Sequence, residues 1–87
     1  MTDANKAAEA QLKKFQDLDV KRKRDPVLGQ RACEGALFEL CQMLMSAKSP
    51  VDAAVKTKIV ATLQAMNLVP YRSYCREHLL DIGIVNI

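Results

Sequence analysis

The chain has 87 residues, a formal net charge of +3, an apolar share of 49% and an aromatic share of only 5%. Such a length allows one small domain near the lower limit of what a single core stabilises, and the apolar share excludes a disordered chain. No apolar run approaches the ~18 residues of a membrane-spanning helix, so no membrane partner is expected.

All of the excess positive charge lies in the first 31 residues, because from Ala32 onward five basic and five acidic residues cancel. Any electrostatic partner is therefore expected at the N-terminal arm. That arm lacks the apolar centre of a signal peptide, and Asp3 and Glu9 argue against a mitochondrial transit peptide. Three cysteines within helical patterns read as buried free thiols, which places the chain in a reducing compartment, cytoplasmic or nuclear.

Residues 1–20 predict an amphipathic helix capped by Thr2 or Asp3, with Ala8, Leu12, Phe15 and Leu18 as its apolar stripe. The stripe is one residue wide, so the helix is expected to pack by one edge or to fold on a partner, with fraying first turns. Lys21, Arg22, Lys23 and Arg24 follow. They read either as a solvated helix end that complements the macrodipole, or as a contact for nucleic acid, acidic protein or an import receptor. Residues 1–24 thus form an N-terminal helix with a basic end, and 25–87 the helical domain proper.

Asp25 and Pro26 restart the chain as N-cap and first helical residue of a helix reaching about Ser46. Gly29 weakens its first turn, and Gly35 reads as a break or as a site of close backbone approach. Leu37, Leu40, Cys41 and Leu44 repeat at helical spacing, and from Leu37 to Met45 nearly every position is apolar. A helix apolar on more than one face is expected to be sandwiched between neighbours, with Met43 and Met45 as candidate interface residues. After the link from Ser46 to Pro50, with Ser49 as cap and Pro50 opening, a third helix runs to about Met66 on the stripe Val55, Ile59, Leu63 and Met66. The two helices, Gly35 to Met66, read as a hairpin around which the rest is organised. Asn67 is placed to end the third helix in the left-handed conformation. Pro70 opens a fourth helix, Tyr71 to Asp81, with Tyr74, Cys75, His78, Leu79 and Ile82 on its buried side and Gly83 closing it. Ile84, Val85 and Ile87 are left as an exposed apolar end that implies an unfilled contact.

The segment from Gly35 to Ile87 resembles an armadillo repeat. Gly35 to Leu44 is similar to that family's second helix, Ser49-Pro50-Val51-Asp52 to its turn, Ala54 to Leu63 to its third helix, and Arg76 to Val85 to the next repeat's short first helix and glycine. The resemblance implies an α-helical stack. The position matching the family's peptide-binding asparagine holds Ala65, which departs from the usual peptide ladder. Barely more than one repeat is present where solenoids need about three. The resemblance therefore implies a unit completed by further repeats or by its partner, and a role in protein–protein contact.

Cys75 and His78 share a helix face and, with Cys33 and Cys41, make a Cys₃His metal site conceivable, but no C-x-x-C pair supports it and no metal site is assigned. No third group orients a Cys75–His78 dyad, so no catalytic residue and no cofactor are expected. Tyr71 and Tyr74 interleave with Arg72 and Arg76, the composition of an interface hot spot. The expectation is an all-α, right-handed stack of about four helices with an armadillo-like hairpin, non-enzymatic, acting in protein binding or assembly, with another protein or further copies as partner. Met43, Met45, Tyr71, Arg72, Tyr74, Ile84, Val85 and Ile87 are its candidate interface, and Lys21–Arg24 its basic patch. The alternative is a nucleic-acid-binding helix-turn-helix, with helix 71–81 presenting Tyr71, Arg72, Ser73 and Arg76 to the major groove.

Overall fold

The computed structural model describes residues 3–85. Those residues form an all-α fold of four helices: α1 (Asp3–Arg24), α2 (Pro26–Met45), α3 (Ala53–Ala65) and α4 (Arg72–Asp81), with a 3₁₀ turn at Val69–Tyr71 leading into α4. Ile87 lies outside the described residues, as does Thr2, one of the two expected caps of α1.

α1 and α2 are joined through a single residue. The N–H of Asp25 still bonds to the Lys21 carbonyl at 2.9 Å, and the Asp25 carbonyl already accepts from Gly29 at 2.9 Å. Pro26 excludes helical geometry from the residue before it, so Asp25 turns out to φ −142°, ψ 81° and the chain reverses there. Its carboxylate accepts the Leu28 N–H at 3.4 Å, as an N-cap should. The two helices then run antiparallel as the most extensive pairing in the molecule. At Gly29 the two backbones approach closely: a Cβ there would stand 2.7 Å from Arg22 Cα. Gly35, expected to break the helix or admit a neighbour, does neither. α2 passes through it unbroken, and nothing stands within 4 Å of where its Cβ would be.

α2 is the sandwiched helix its composition predicts. Cys33, Ala36, Leu37, Leu40, Cys41 and Leu44 are buried along it, and it packs against α1, α4 and the 3₁₀ turn. α1 adds Ala8 and Phe15 to that core, α3 adds Ile59 and Leu63, and the C-terminal part adds Leu68, Tyr71, Cys75, Leu79, Ile82 and Ile84. Burying one side chain of this size contributes about 1.5–3 kcal/mol. The buried face of α1 is wider than its apolar stripe, because Asn5, Gln11 and Asp19 are buried beside Ala8 and Phe15.

The ends of α3 depart from expectation. It starts at Ala53 rather than Pro50, because Asn5 of α1 grips Asp52: the Asp52 N–H donates to Asn5 Oδ1 at 2.9 Å and Asn5 Nδ2 donates to the Asp52 carboxylate at 2.8 Å. Ser49, the expected cap, instead donates its N–H to Ser46 Oγ at 3.2 Å within the link. At the other end the cap is Met66, which leaves the helix in an extended conformation, in place of the expected Asn67. The Asn67 side chain accepts the Val69 N–H at 3.2 Å and so starts the 3₁₀ turn. Gly83 closes α4 as expected, at φ 97°, with Gly83 N–H to Leu80 O at 3.0 Å and Ile84 N–H to Leu79 O at 2.9 Å.

Candidate protein-interaction surface

The position of α4 is set by Tyr71. An interface residue was expected here, but the side chain is fully buried. The reason is a polar network 49 to 52 residues away in sequence. The Tyr71 hydroxyl donates to the buried Asp19 carboxylate and accepts from Arg22 Nε at 2.9 Å. The Phe15 ring meets the Tyr71 ring edge-on at 5.2 Å, and the Arg22 guanidinium lies 5.5 Å over it. Burial, with the Asp19 carboxylate next, pushes the Tyr71 phenol well above its ordinary value and keeps it a neutral donor. Gln30 adds a bond to the Pro70 carbonyl at 2.7 Å. These contacts tie the 3₁₀ turn to both α1 and α2.

The same network divides the basic quartet. Arg22 is turned inward with its side chain 15% exposed, and the exposed Lys23 ammonium sits 3.7 Å from Asp19. Lys21 and Arg24 point to solvent at the end of α1, where cations complement the helix macrodipole.

With Tyr71, Cys75, Leu79 and Ile82 facing inward, the helical register puts position 74 outside and position 78 at the edge. Tyr74, expected on the buried side of α4, is 56% exposed for that reason. Its ring meets Phe38 of α2 at 5.9 Å, and Phe38 in turn meets the His78 ring edge-on at 4.5 Å. Three rings are thereby fixed across the α2–α4 seam in the edge-on geometry such pairs prefer. On one side Tyr74 and His78 line a shallow cavity of about 410 Å³ together with Arg72, Ser73, Arg76 and Glu77. On the other, His78 also lines a cavity of about 250 Å³ with Cys41, Gln42, Met45 and Asp81. His78 is thus shared by two cavities, one flanked by Arg72 and Arg76 and the other by Met45. Phe38 was invisible as a site residue, since within an unbroken apolar run nothing marks which member reaches the seam.

The remaining candidates lie elsewhere. Met43 and Met45 do not share a patch, because Met43 is half-buried in a separate cleft between the start of α1 and the end of α2. Ile84, expected as exposed apolar surface, is buried: the left-handed Gly83 folds the chain back and drops Ile84 into the core. Val85 is 55% exposed, but both its backbone groups are held by the Gln64 amide, at 2.9 and 3.0 Å.

The thiols are buried among apolar groups, which pushes Cys41 up to about 12 and Cys75 up to about 11. Protonated thiols are weak nucleophiles and weak ligands. Cys75 faces inward, its thiol 3.6 Å from the Glu34 carbonyl, while His78 sits at the seam, so the two point to different surroundings. Among the described residues no group of three His, Cys, Asp or Glu converges to hold a metal, and no helix is long and apolar enough to cross a membrane. Of the four residues assigned to a DNA-reading helix, Tyr71 is buried and Arg72, Ser73 and Arg76 are exposed. No family model matches the chain, and no curated protein or solved structure is significantly similar to it.

Proposed function

We propose that this chain is a protein-interaction or assembly module that docks through the α2–α4 seam. The observation that carries the reading is the fixed ring cluster of Tyr74, Phe38 and His78, rimmed by Arg72, Arg76 and Met45. Tyrosine and arginine are enriched at interface hot spots. Tyrosine presents a large contact area with few rotatable bonds and a polar tip, and the planar guanidinium of arginine donates several hydrogen bonds. The Tyr74 and His78 rings are already ordered against Phe38, which lowers the entropy lost on binding. The armadillo-like resemblance of residues 35–87 supports the same role, since a helical unit of that kind is completed by its neighbours. Three buried thiols with no disulfide partner fit a reducing compartment, and the cytoplasm or nucleus is the proposed location.

The test is light scattering coupled to size exclusion, with circular dichroism on the same fractions, on wild type and Tyr74→Ala, together with affinity capture by each. The expected result is a helical species heavier than a monomer, or a captured partner, that Tyr74→Ala weakens by about 30-fold or more while helix content is unchanged. A well-folded monomer that captures nothing overturns the reading. Salt-dependent binding of duplex DNA in its place would support the helix-turn-helix alternative.

A further inference from the structure

We infer that copies of this chain associate head to tail, the apolar and basic corner between α1 and α2 of one copy seating in the cleft at the opposite pole of the next. The inference rests on the reading of the chain as an assembly module and names the partner as a second copy.

The corner is the most conspicuous apolar feature of the surface. Val27 is 88% exposed and Leu28 78%, with Val20 at 52% beside them. Side chains this exposed contact little of their own chain, so they protrude. Around them Lys21, Arg24 and Arg31 are all exposed. The one carboxylate at the turn, Asp25, is engaged in capping the Leu28 N–H.

The opposite pole carries the complement. Between the first turns of α1 and the last turn of α2 lies a cleft of about 470 Å³, with Ala4, Ala7, Met43 and Val51 supplying apolar lining and Asp3 and Glu39 supplying carboxylates. Lys6 and Lys48, the cations nearest in sequence, do not line it. A protruding aliphatic pair ringed by cations on one end thus faces a concave apolar site flanked by anions on the other, the pairing that both steers and fixes an interface.

Geometry makes the contact one between copies. α1 has 22 residues, and at ~1.5 Å per residue it spans about 33 Å of a molecule whose longest dimension is 35 Å. Corner and cleft therefore sit at opposite ends of the longest axis, and one copy cannot satisfy both itself. Pairing two corners symmetrically would oppose three cations to three cations. The contact is heterologous, so it propagates into a ring or an open chain of copies.

The test uses two substitutions at exposed helical positions, Leu28→Asp in the corner and Ala7→Lys in the cleft. By sedimentation velocity, wild type is expected to grow in mass with concentration and to lose mass with added salt. Each variant alone, with wild-type circular dichroism, is expected to associate at least 10-fold more weakly and to run as a monomer. Mixed, they are expected to form a one-to-one dimer and nothing larger, because Ala7→Lys keeps an intact corner and Leu28→Asp an intact cleft. Assembly by either variant alone, or a mixture that stays monomeric where wild type assembles, overturns the inference. Wild-type assembly abolished by Tyr74→Ala and untouched by Leu28→Asp overturns it while upholding the seam as the interaction surface. A wild type that is monomeric throughout also overturns it, and leaves the proposed function to be judged by partner capture through Tyr74.

Discussion

α1 and α2 lie side by side in the same core, yet they are buried by different chemistry. Leu37, Leu40 and Leu44 of α2 turn an apolar face inward, whereas α1 buries Asn5, Gln11 and Asp19 alongside Ala8 and Phe15. Burial of the first kind is non-directional and scales with area. Burial of the second kind depends on a named partner for each polar group: Asp52 for Asn5, the Ala36 carbonyl at 3.0 Å for Gln11, and Tyr71 with Arg22 for Asp19. An apolar helix face constrains its neighbour through shape and area alone. A face studded with matched polar groups has one register, and α1 therefore sets where α3 begins and where α4 attaches.

The largest expected effect tests the apolar half of that contrast. Leu37→Ala removes a fully buried side chain and should lower stability by about 2–5 kcal/mol, read as a fall in thermal midpoint by circular dichroism. On the polar half, Asp19→Ala strands the buried Tyr71 hydroxyl and should cost about 1–3 kcal/mol, and Tyr71→Phe in the same background should recover part of it. Additive losses from the two substitutions would show that Asp19 and Tyr71 act independently, against the network.

An effect of similar size sharpens the packing comparison between two glycines of α2. Gly29→Ala places a methyl 2.7 Å from the Arg22 backbone and should destabilise by about 1–3 kcal/mol. Gly35→Ala meets nothing within 4 Å and should stabilise by about 1 kcal/mol through helix propensity. Equal effects at the two positions would contradict the close α1–α2 approach at Gly29.

The smallest effect comes from the buried acids of the core. Burial pushes Cys41 up to about 12 and Cys75 up to about 11 from the 9.0 of an exposed thiol, and it raises Cys33 and Tyr71 too. The unfolded thiols lose protons as pH rises through 9.0 while the folded ones keep theirs, so stability is fully present below about pH 8 and declines as pH rises toward the folded values. Between pH 8 and 9 the decline should be about 1 kcal/mol, measured by urea unfolding at each pH. Stability rising over that interval would contradict buried, protonated thiols.

The sequence by itself determined the class, the number of helices, the inward stripe of α2, the restart at Asp25-Pro26 and the closure at Gly83. Each of these is local: a 3.6-residue period or a cap is encoded within one or two turns, and the residues that decide it are neighbours in the chain. Only the tertiary structure decided that Asn5 starts α3, that Tyr71 and Ile84 turn inward, that Gly29 rather than Gly35 is the close approach, and that Phe38 joins Tyr74 and His78 in one cluster. Most of these outcomes depend on partners remote along the chain, 47 residues for Asn5 and Asp52 and 52 for Tyr71 and Asp19. A polar residue in a helical stripe reads as exposed until its partner is placed opposite. Periodicity carries no information about which distant donor will meet which acceptor, and packing alone supplies it.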